Sequence, residues 1–431
     1  MTRAYIELND AGILQAVNGD VINTSPAYAV MDKNTLLLGK EAQNNARLLP
    51  TWTNNRFWNQ LSSDPIANST HNIRHHADLA FAHLEHIWQG LSKQTDQVVI
   101  GVPGFYDQHQ LGLLLGMAKE ANIPVVGMVD SALAAIASET SHASLLHLEI
   151  SLHRITLTQF QIDDQVKKVN HINVAETGLI TLWDRWASVV AQQFIQSSRF
   201  DPMYDAKSEQ ALFDRLPNWI SGDNNTFEMD IDGLKHSVQV PEDQLIHVGD
   251  AVYPKIAQAI VNLSDSSGRT SILVSHLFDG FPGLNKTLGS IEGVDLQYLN
   301  NRTAAKTIHM HWDNIVSSDG AVAHITELPR GTKKTIEVNH AASPTHLLLD
   351  HRATQIGKRL TIVDMNHSGI AEEAEGKNPA FTIVLSNGHH LLQSQTQELR
   401  LNGKLVPLPA QLKIGDEISL HDRTATLIEV S

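Results

Sequence analysis

Cysteine is absent from the 431-residue chain, which excludes disulfides, thiolate metal sites and cysteine nucleophiles. No long run of Lys or Arg interrupts a formal net charge of −15, set by 32 basic against 47 acidic side chains. A nucleic-acid backbone is therefore not an expected partner. Long uninterrupted apolar stretches are also missing. The most apolar one, Leu111 to Val129, carries Lys119 and Glu120 at its middle, and a membrane-spanning helix would bury both charges in lipid. The opening residues Met1-Thr2-Arg3-Ala4-Tyr5 lack the basic-then-apolar pattern of a secretory signal. A cytoplasmic protein that makes no use of a membrane is the expectation.

Several catalytic signatures are missing as well. There is no H-E-x-x-H and no G-x-S-x-G, and Gly101-Val102-Pro103-Gly104 lacks the Lys-Ser/Thr of a phosphate-binding loop. Histidine is plentiful, with 23 copies. His71 and His75 stand four apart, His83 and His86 three apart, and His309 and His311 would share one face of a strand. No third ligand is fixed by spacing, so hydrogen-bonded or solvated histidines are the expectation rather than a metal site.

What is present is the composition of a folded protein, 42% hydrophobic and 18% charged, long enough for two or three domains. Short β-like runs open the chain: Tyr5 to Leu8, a turn at Asn9 to Gly12, Ile13 to Val17, and a second turn at Asn18-Gly19-Asp20. An Asn-Gly pair between apolar runs marks a tight hairpin, since both residues tolerate positive φ. Helical spacing is clearest from His75 to Leu91. A buried strand Val98 to Val102, a helix Gln108 to Ala121 capped by Asp107, a strand Pro124 to Met128 and a small-residue helix from Ser131 follow. Strands at Leu145 to Ile150 and Arg154 to Phe160 precede a turn at Asp163-Asp164 and a helical region from Leu182 to Leu216. A hairpin (Phe227 to Val240), a helix (Tyr253 to Leu263) and the buried strand Ser271 to Val274 complete an α/β pattern. No internal repeat is visible. From about residue 335 short strands alternate with turns, among them Asn387-Gly388, Asn402-Gly403 and Gly415-Asp416, which predicts a small all-β module over 335–431. Asp364 and Glu372-Glu373 are expected on exposed loops there.

Over about residues 4 to 325 an ordered set of segments resembles the nucleotide-binding domain of DnaK-type chaperones, members of the actin-like ATPase superfamily. Thr24-Ser25-Pro26-Ala27-Tyr28 through Leu38-Gly39-Lys40-Glu41-Ala42 is similar to that family's "TPSYVAF…LIGDAA" stretch. Val99 to Tyr106 looks like "ITVPAYF", Asp130 to Ala137 stands where the family has "EPTAAALA", and Ile272-Leu273-Val274 leading to Phe281-Pro282-Gly283 is similar to "VLVGGSTRIP". The plain alternative is generic α/β strands and small-residue helices. The resemblance implies two actin-like (ribonuclease-H-like) lobes within residues 1–330, followed by the β module.

It also implies where a nucleotide would sit. The family cradles phosphates between two Gly-rich hairpin turns, with hydroxyls and carboxylates arranging Mg²⁺. The first turn, "D-L-G-T-T", reads Glu7-Leu8-Asn9-Asp10-Ala11 here, so Asn9 replaces a glycine and the anion Asp10 replaces a hydroxyl. The second, "D-L-G-G-G-T-F-D", reads His147 to Arg154 without a glycine, with His147 in place of a carboxylate, Ser151 at a turn position and Leu152 in place of a hydroxyl. The adenosine turn "G-G-S" reads Ser275-His276-Leu277, and Arg56 is the counterpart of the family's phosphate lysine.

Three altered loops imply a noncatalytic, pseudo-ATPase relative: a scaffold or chaperone-like protein that binds other proteins, a true DnaK-type chaperone among the candidates. No cofactor is expected on this reading. The alternative is a divergent but active ATP-dependent chaperone that takes ATP or ADP with Mg²⁺. In the C-terminal module, Leu399 to Val406 and Leu412 to Ile418 resemble the last strands of forkhead-associated domains, which gives a third reading as a phosphopeptide adaptor. Gly357-Lys358-Arg359 is the nearest match to that family's phosphate-reading motif, and no Ser-x-x-His follows it.

Overall fold

The computed structural model describes the chain apart from residues 1, 33–34, 67–71, 138–143, 176, 223–224, 232, 265–268, 318–319, 331–343, 350–351, 358, 363–379, 387–388, 395–398, 403–408, 421–422 and 429–431. His71, Lys358, Asp364, Glu372-Glu373 and the Asn387-Gly388 turn lie outside the described residues. The protein is mixed α/β, with eleven helices among the described residues. It divides into two compact units, Met1–Thr332 and Lys333–Ser431. Among the described residues no helix is long and apolar enough to cross a membrane.

The first unit is built on two six-stranded sheets. In one, β1 (Arg3–Glu7), β2 (Ile13–Val17) and β3 (Asp20–Ser25) form an antiparallel meander, and β4 (Gln97–Val102) and β5 (Val125–Asp130) extend it in parallel from β1. In the other, β6 (Ser144–Ile150), β7 (Ile155–Ile162) and β8 (Gln165–Ala175) form the meander. There β9 (Thr270–Val274) and β10 (Val294–Tyr298) add in parallel from β6. Both sheets thus share one order, third-second-first-fourth-fifth, with the same strand directions. Two short strands extend them: β11 (His324–Ile325) beside β5, and β12 (Glu327–Pro329) beside β8.

The sequence explains the core of this arrangement. In β4, Val98, Val99, Ile100 and Val102 are all buried, as a central parallel strand covered on both faces requires. Gly101 interrupts the run because a Cβ there would collide with the Tyr5 ring on β1. The β2–β3 hairpin turns on Asn18 (φ 51°) and Gly19 (φ 88°), the left-handed pair that the dipeptide favours. The helix His76–Leu91 buries Leu79, Leu84, Ile87 and Leu91 along one face. Asp107 caps the helix Gln108–Glu120 through a 2.8 Å bond from the Gln110 N–H.

Three sequence expectations change. Residues 165–175, read as no element, form the eleven-residue strand β8. The single helical region 182–216 is two helices, Leu179–Ser198 and Ala206–Ile220. Arg199 (φ 56°) ends the first in a left-handed conformation, and Asp205 caps the second by accepting from the N–H groups of Lys207 and Ser208. His309 does not share a strand face with His311; it lies in the helix Thr303–Met310, which His311 terminates.

The second unit is a pair of antiparallel sheets. One contains His346–Leu349, Arg352–Gln355, Arg400–Leu401, Glu417–Leu420 and Arg423–Ile428; the other contains Arg359–Ile362, Phe381–Ser386, His389–Gln393 and Ala410–Gln411. Leu347, Ile418 and Leu427 from the first share one core with Leu360, Phe381 and Ile383 from the second.

Candidate functional site

In open α/β sheets ligand sites form outside the carboxyl ends of the parallel strands. Glu7 ends β1, Ile150 ends β6, Val102 ends β4, Asp130 ends β5 and Val274 ends β9. The two turns that follow β1 and β6 meet each other. Asp10 Oδ1 accepts a 2.6 Å hydrogen bond from the Leu152 N–H, and Asn9 Nδ2 donates to the Ile150 carbonyl and to Glu149 Oε1, both at 3.1 Å. Asn9 Oδ1 also accepts from the Ala11 N–H, which fixes its amide.

The second turn is held from its other side by a helix. Leu179 N–H and Ile180 N–H, at the N-terminus of Leu179–Ser198, donate to the carbonyls of Ser151 (2.9 Å) and Leu152 (3.2 Å). Helix N-termini leave donors unsatisfied, and here the hairpin satisfies two of them. Gly178 permits the approach, since a Cβ there would strike the backbone of Leu152 and His153. Arg154 completes the turn: its Nε donates to Asn59 Oδ1 (2.7 Å), and its guanidinium stacks 3.8 Å from the Phe105 ring centroid.

Two cavities flank the joined hairpins. The larger, about 910 Å³ with the open solvent at its mouth included, is lined by Glu7, Asn9, His147, Glu149 and the turn Ser275-His276-Leu277, together with Asn300, Asn301 and Thr303. No Lys or Arg is among its described lining residues. The smaller, about 350 Å³, is lined by Asp10, Ser151 and Arg154 together with Trp58, Phe105 and Tyr106. Asn9 and Glu149 contribute to both.

Burial governs the charges. Desolvation pushes the Glu7 carboxyl up to about 8, with Glu149 adding repulsion. Glu149 is raised to about 7, again first by desolvation, although the Asn9 amide favours its charged form. Asp10 rises to about 6; burial outweighs its bond from Leu152 and the charge of Arg154. Desolvation lowers His147 to about 4, so at neutral pH it is an uncharged ring, and its Nδ1 has no hydrogen-bond partner. Behind these groups Asp130, wholly buried, pairs with Lys168 of β8 and caps the helix Ser131–Ile136 by accepting from Ala132 and Leu133 N–H. Lys168 Nζ also donates to the Gly104 carbonyl at 3.2 Å.

The residues singled out from the sequence are therefore distributed as follows. Glu7, Asn9, His147, Ser275 and His276 gather at the larger cavity, and Asp10 and Ser151 at the smaller. Arg56 lines neither; it is exposed, and its N–H bonds to Asn54 Oδ1. Sequence reasoning missed Glu149 and Arg154 as site residues, and the Asp130–Lys168 pair. Glu149 had a legible signal: in Leu146-His147-Leu148-Glu149-Ile150 strand alternation sets two polar side chains on one face of an otherwise apolar run. Arg154 and Lys168 had none, because their partners lie far off in the chain. The expectation of hydrogen-bonded histidines holds at His83, which is bonded to Ser25 Oγ (2.8 Å) and the Trp58 Nε1–H (3.1 Å). Among the described residues no three His, Asp or Glu side chains gather as a metal site.

No protein-family model matches the chain, and no curated protein matches it in sequence.

Proposed function

We propose that the chain is a noncatalytic protein of the actin-like, DnaK-type class, a scaffold or chaperone-like protein that binds other proteins, with a true DnaK-type chaperone among its candidate partners. One observation carries this reading: the Asp10 carboxylate takes the Leu152 N–H of the facing turn. In the family resembled, backbone N–H groups of these turns hold phosphate oxygens. Here an anion of the chain itself has taken that role, and a phosphate beside it would meet like charge.

Three further points support the proposal. The same strand order and directions recur in two sheets, as a duplicated actin-like core requires. The altered turns of the sequence face one another at the strand ends. The cavity that the adenosine turn lines has no described Lys or Arg on its wall to offset a triphosphate.

Calorimetric titration of the full chain with ATP and with ADP, each with Mg²⁺, tests the proposal. No saturable heat from folded protein is the expected result. Binding of either nucleotide followed by turnover that Glu7→Gln abolishes would replace it with an active, divergent ATPase.

A further inference from the structure

We infer that residues 43–59 form a strap that holds the two sheet-bearing halves of the first unit closed without a ligand, with Arg47 as its buckle. The inference does not depend on the proposed function.

The strap is rooted in the half that carries the first sheet. Thr53–Asn54 pairs antiparallel with Ala29–Asp32, and the Tyr106 hydroxyl donates to the Trp58 carbonyl at 2.7 Å. Across to the other half, one guanidinium spans two helices. Arg47 Nη2 bonds to Asp184 of Leu179–Ser198 at 2.5 Å, and Nη1 to Glu209 of Ala206–Ile220 at 3.2 Å. The same guanidinium lies 3.6 Å from the Phe213 ring centroid. Gln210, 6% exposed, grips the strap's backbone in return: its Oε1 accepts from the Arg47 N–H at 2.9 Å, and its Nε2 donates to the Gln43 carbonyl at 3.2 Å. Farther along, His153 Nε2 donates to the Asn55 carbonyl at 3.0 Å, and Arg154 Nε to Asn59 Oδ1 at 2.7 Å. These helices belong with the second hairpin, because Leu179 and Ile180 donate to its carbonyls.

The two ends of this seam differ in their access to water. At the hairpins, Asn9, Asp10 and Leu152 are all buried. At the buckle, the side chains of Arg47 and Asp184 are 29% and 48% exposed, so water and salt compete for the pair. A lone exposed ion pair holds little. Arg47 holds more because its planar fork meets two carboxylates and a ring face while its backbone N–H is held by Gln210. Separation of the halves therefore begins at Arg47 and pivots on the buried hairpins. Trp58 and Asn59 of the strap line the smaller cavity with Ser151 and Arg154 of the second hairpin, so the same motion widens it.

The chain has no cysteine, so introduced cysteines carry spin labels without background. Labels at Glu41→Cys, in the helix that leads into the strap, and at Lys207→Cys read the distance across the buckle; both positions are exposed. Labels at Lys207→Cys and Glu228→Cys, exposed and both in the second half, form the control. The measurement is pulsed electron double resonance on the full chain without nucleotide. The parent should give one narrow distance distribution. Arg47→Ala should lengthen and broaden it, and Asp184→Asn combined with Glu209→Gln should reproduce that shift. Arg47→Lys should fall between, because an ammonium cannot fork and stack at once. Salt at about 1 M, where the screening length is about 3 Å, should lengthen the parent's distance as well. The control pair should stay fixed throughout. An Arg47→Ala protein that is folded and keeps the parent's distribution overturns the inference, even with a lower thermal midpoint, since Arg47 is then a stabilising contact and no buckle. A control pair that lengthens in step also overturns it, because that result reports loosening of the second half itself. Should Arg47→Ala fail to fold, the salt series on the parent decides, and an unmoved distance overturns the inference. Nucleotide binding in the earlier titration would sink the proposed function and leave this inference standing, because the labels are read without nucleotide.

Discussion

The carboxylate of Asp10 and the backbone N–H of Leu152, 142 residues apart in the chain, are joined by a 2.6 Å hydrogen bond that ties the turn after β1 to the turn after β6. Leu152 is 4% exposed, so its N–H has little water to turn to when that acceptor is removed. Asp10→Ala should therefore cost about 1–3 kcal/mol of stability, the penalty for a buried donor left unpaired. Urea unfolding of the two proteins reads the difference. An unchanged midpoint would mean that the bond contributes nothing.

Glu7 and Glu149 make stability depend on pH in the unusual direction. Their carboxyls stand at about 8 and about 7 in the fold, against about 4.3 for an unfolded chain. Between those values the folded state holds protons that the unfolded chain has released, so stability falls as pH rises. His147, at about 4 in the fold, opposes this trend, but only up to the ordinary histidine value of about 6.5. From about pH 6.5 to 8 the carboxyls act without that opposition, and the thermal midpoint should decline. Glu7→Gln should flatten the profile; a midpoint that holds or rises over that interval in the parent protein contradicts the assignment.

Lys168→Ala would leave Asp130 charged, buried and unpaired. A loss of about 3–5 kcal/mol is expected, as for other buried pairs broken on one side. Asp130→Asn added to Lys168→Ala should recover much of it, because the amide oxygen still caps the helix without a charge. A double variant as unstable as Lys168→Ala alone would assign the loss to packing of the lysine stem.

Gly178 has φ −111°, a conformation open to any residue, so substitution there tests space alone. The Cβ of Gly178→Ala would meet the Leu152–His153 backbone. The helix Leu179–Ser198 must then withdraw from the hairpin carbonyls, at a cost of about 3 kcal/mol in denaturant unfolding. Substitution without loss would show that the helix shifts freely.

Local chemistry made much of the fold legible. Asn18-Gly19, Asp107 and the apolar runs of β4 and β9 each carry their own instruction in a few residues. β8 was invisible for a physical reason. Its register against β7 is irregular near Gln159 and Phe160, and Lys168, Val169 and Asn170 break the apolar alternation that marks a half-buried strand. The doubled strand order was also hidden, because topology constrains backbone direction and apolar patterning rather than residue identity. No repeat in sequence need accompany a repeat in order.

The candidate site divides along the same line. Motif resemblance singled out Glu7, Asn9, His147 and Ser275, which line one cavity: Glu7, Asn9 and Ser275 lie at or just past strand ends, and His147 lies within β6. It put Arg56 on the same list by loose spacing, and that residue lies elsewhere. What no local pattern could disclose was the pairing of one turn with the other. A resemblance tells which loops converge, whereas the bond between Asp10 and Leu152 depends on the distance closed by folding.

That bond has a further consequence. A diffusible anion occupies a site in proportion to its concentration, and a protein that reads such an anion follows the supply. Asp10 is tethered, so its local concentration at the Leu152 N–H is set by chain geometry and not by the supply of a free anion. The contact between these two turns therefore forms without any ligand, and the variable that reaches it is acidity, because the Asp10 carboxyl stands at about 6 and accepts best when ionised.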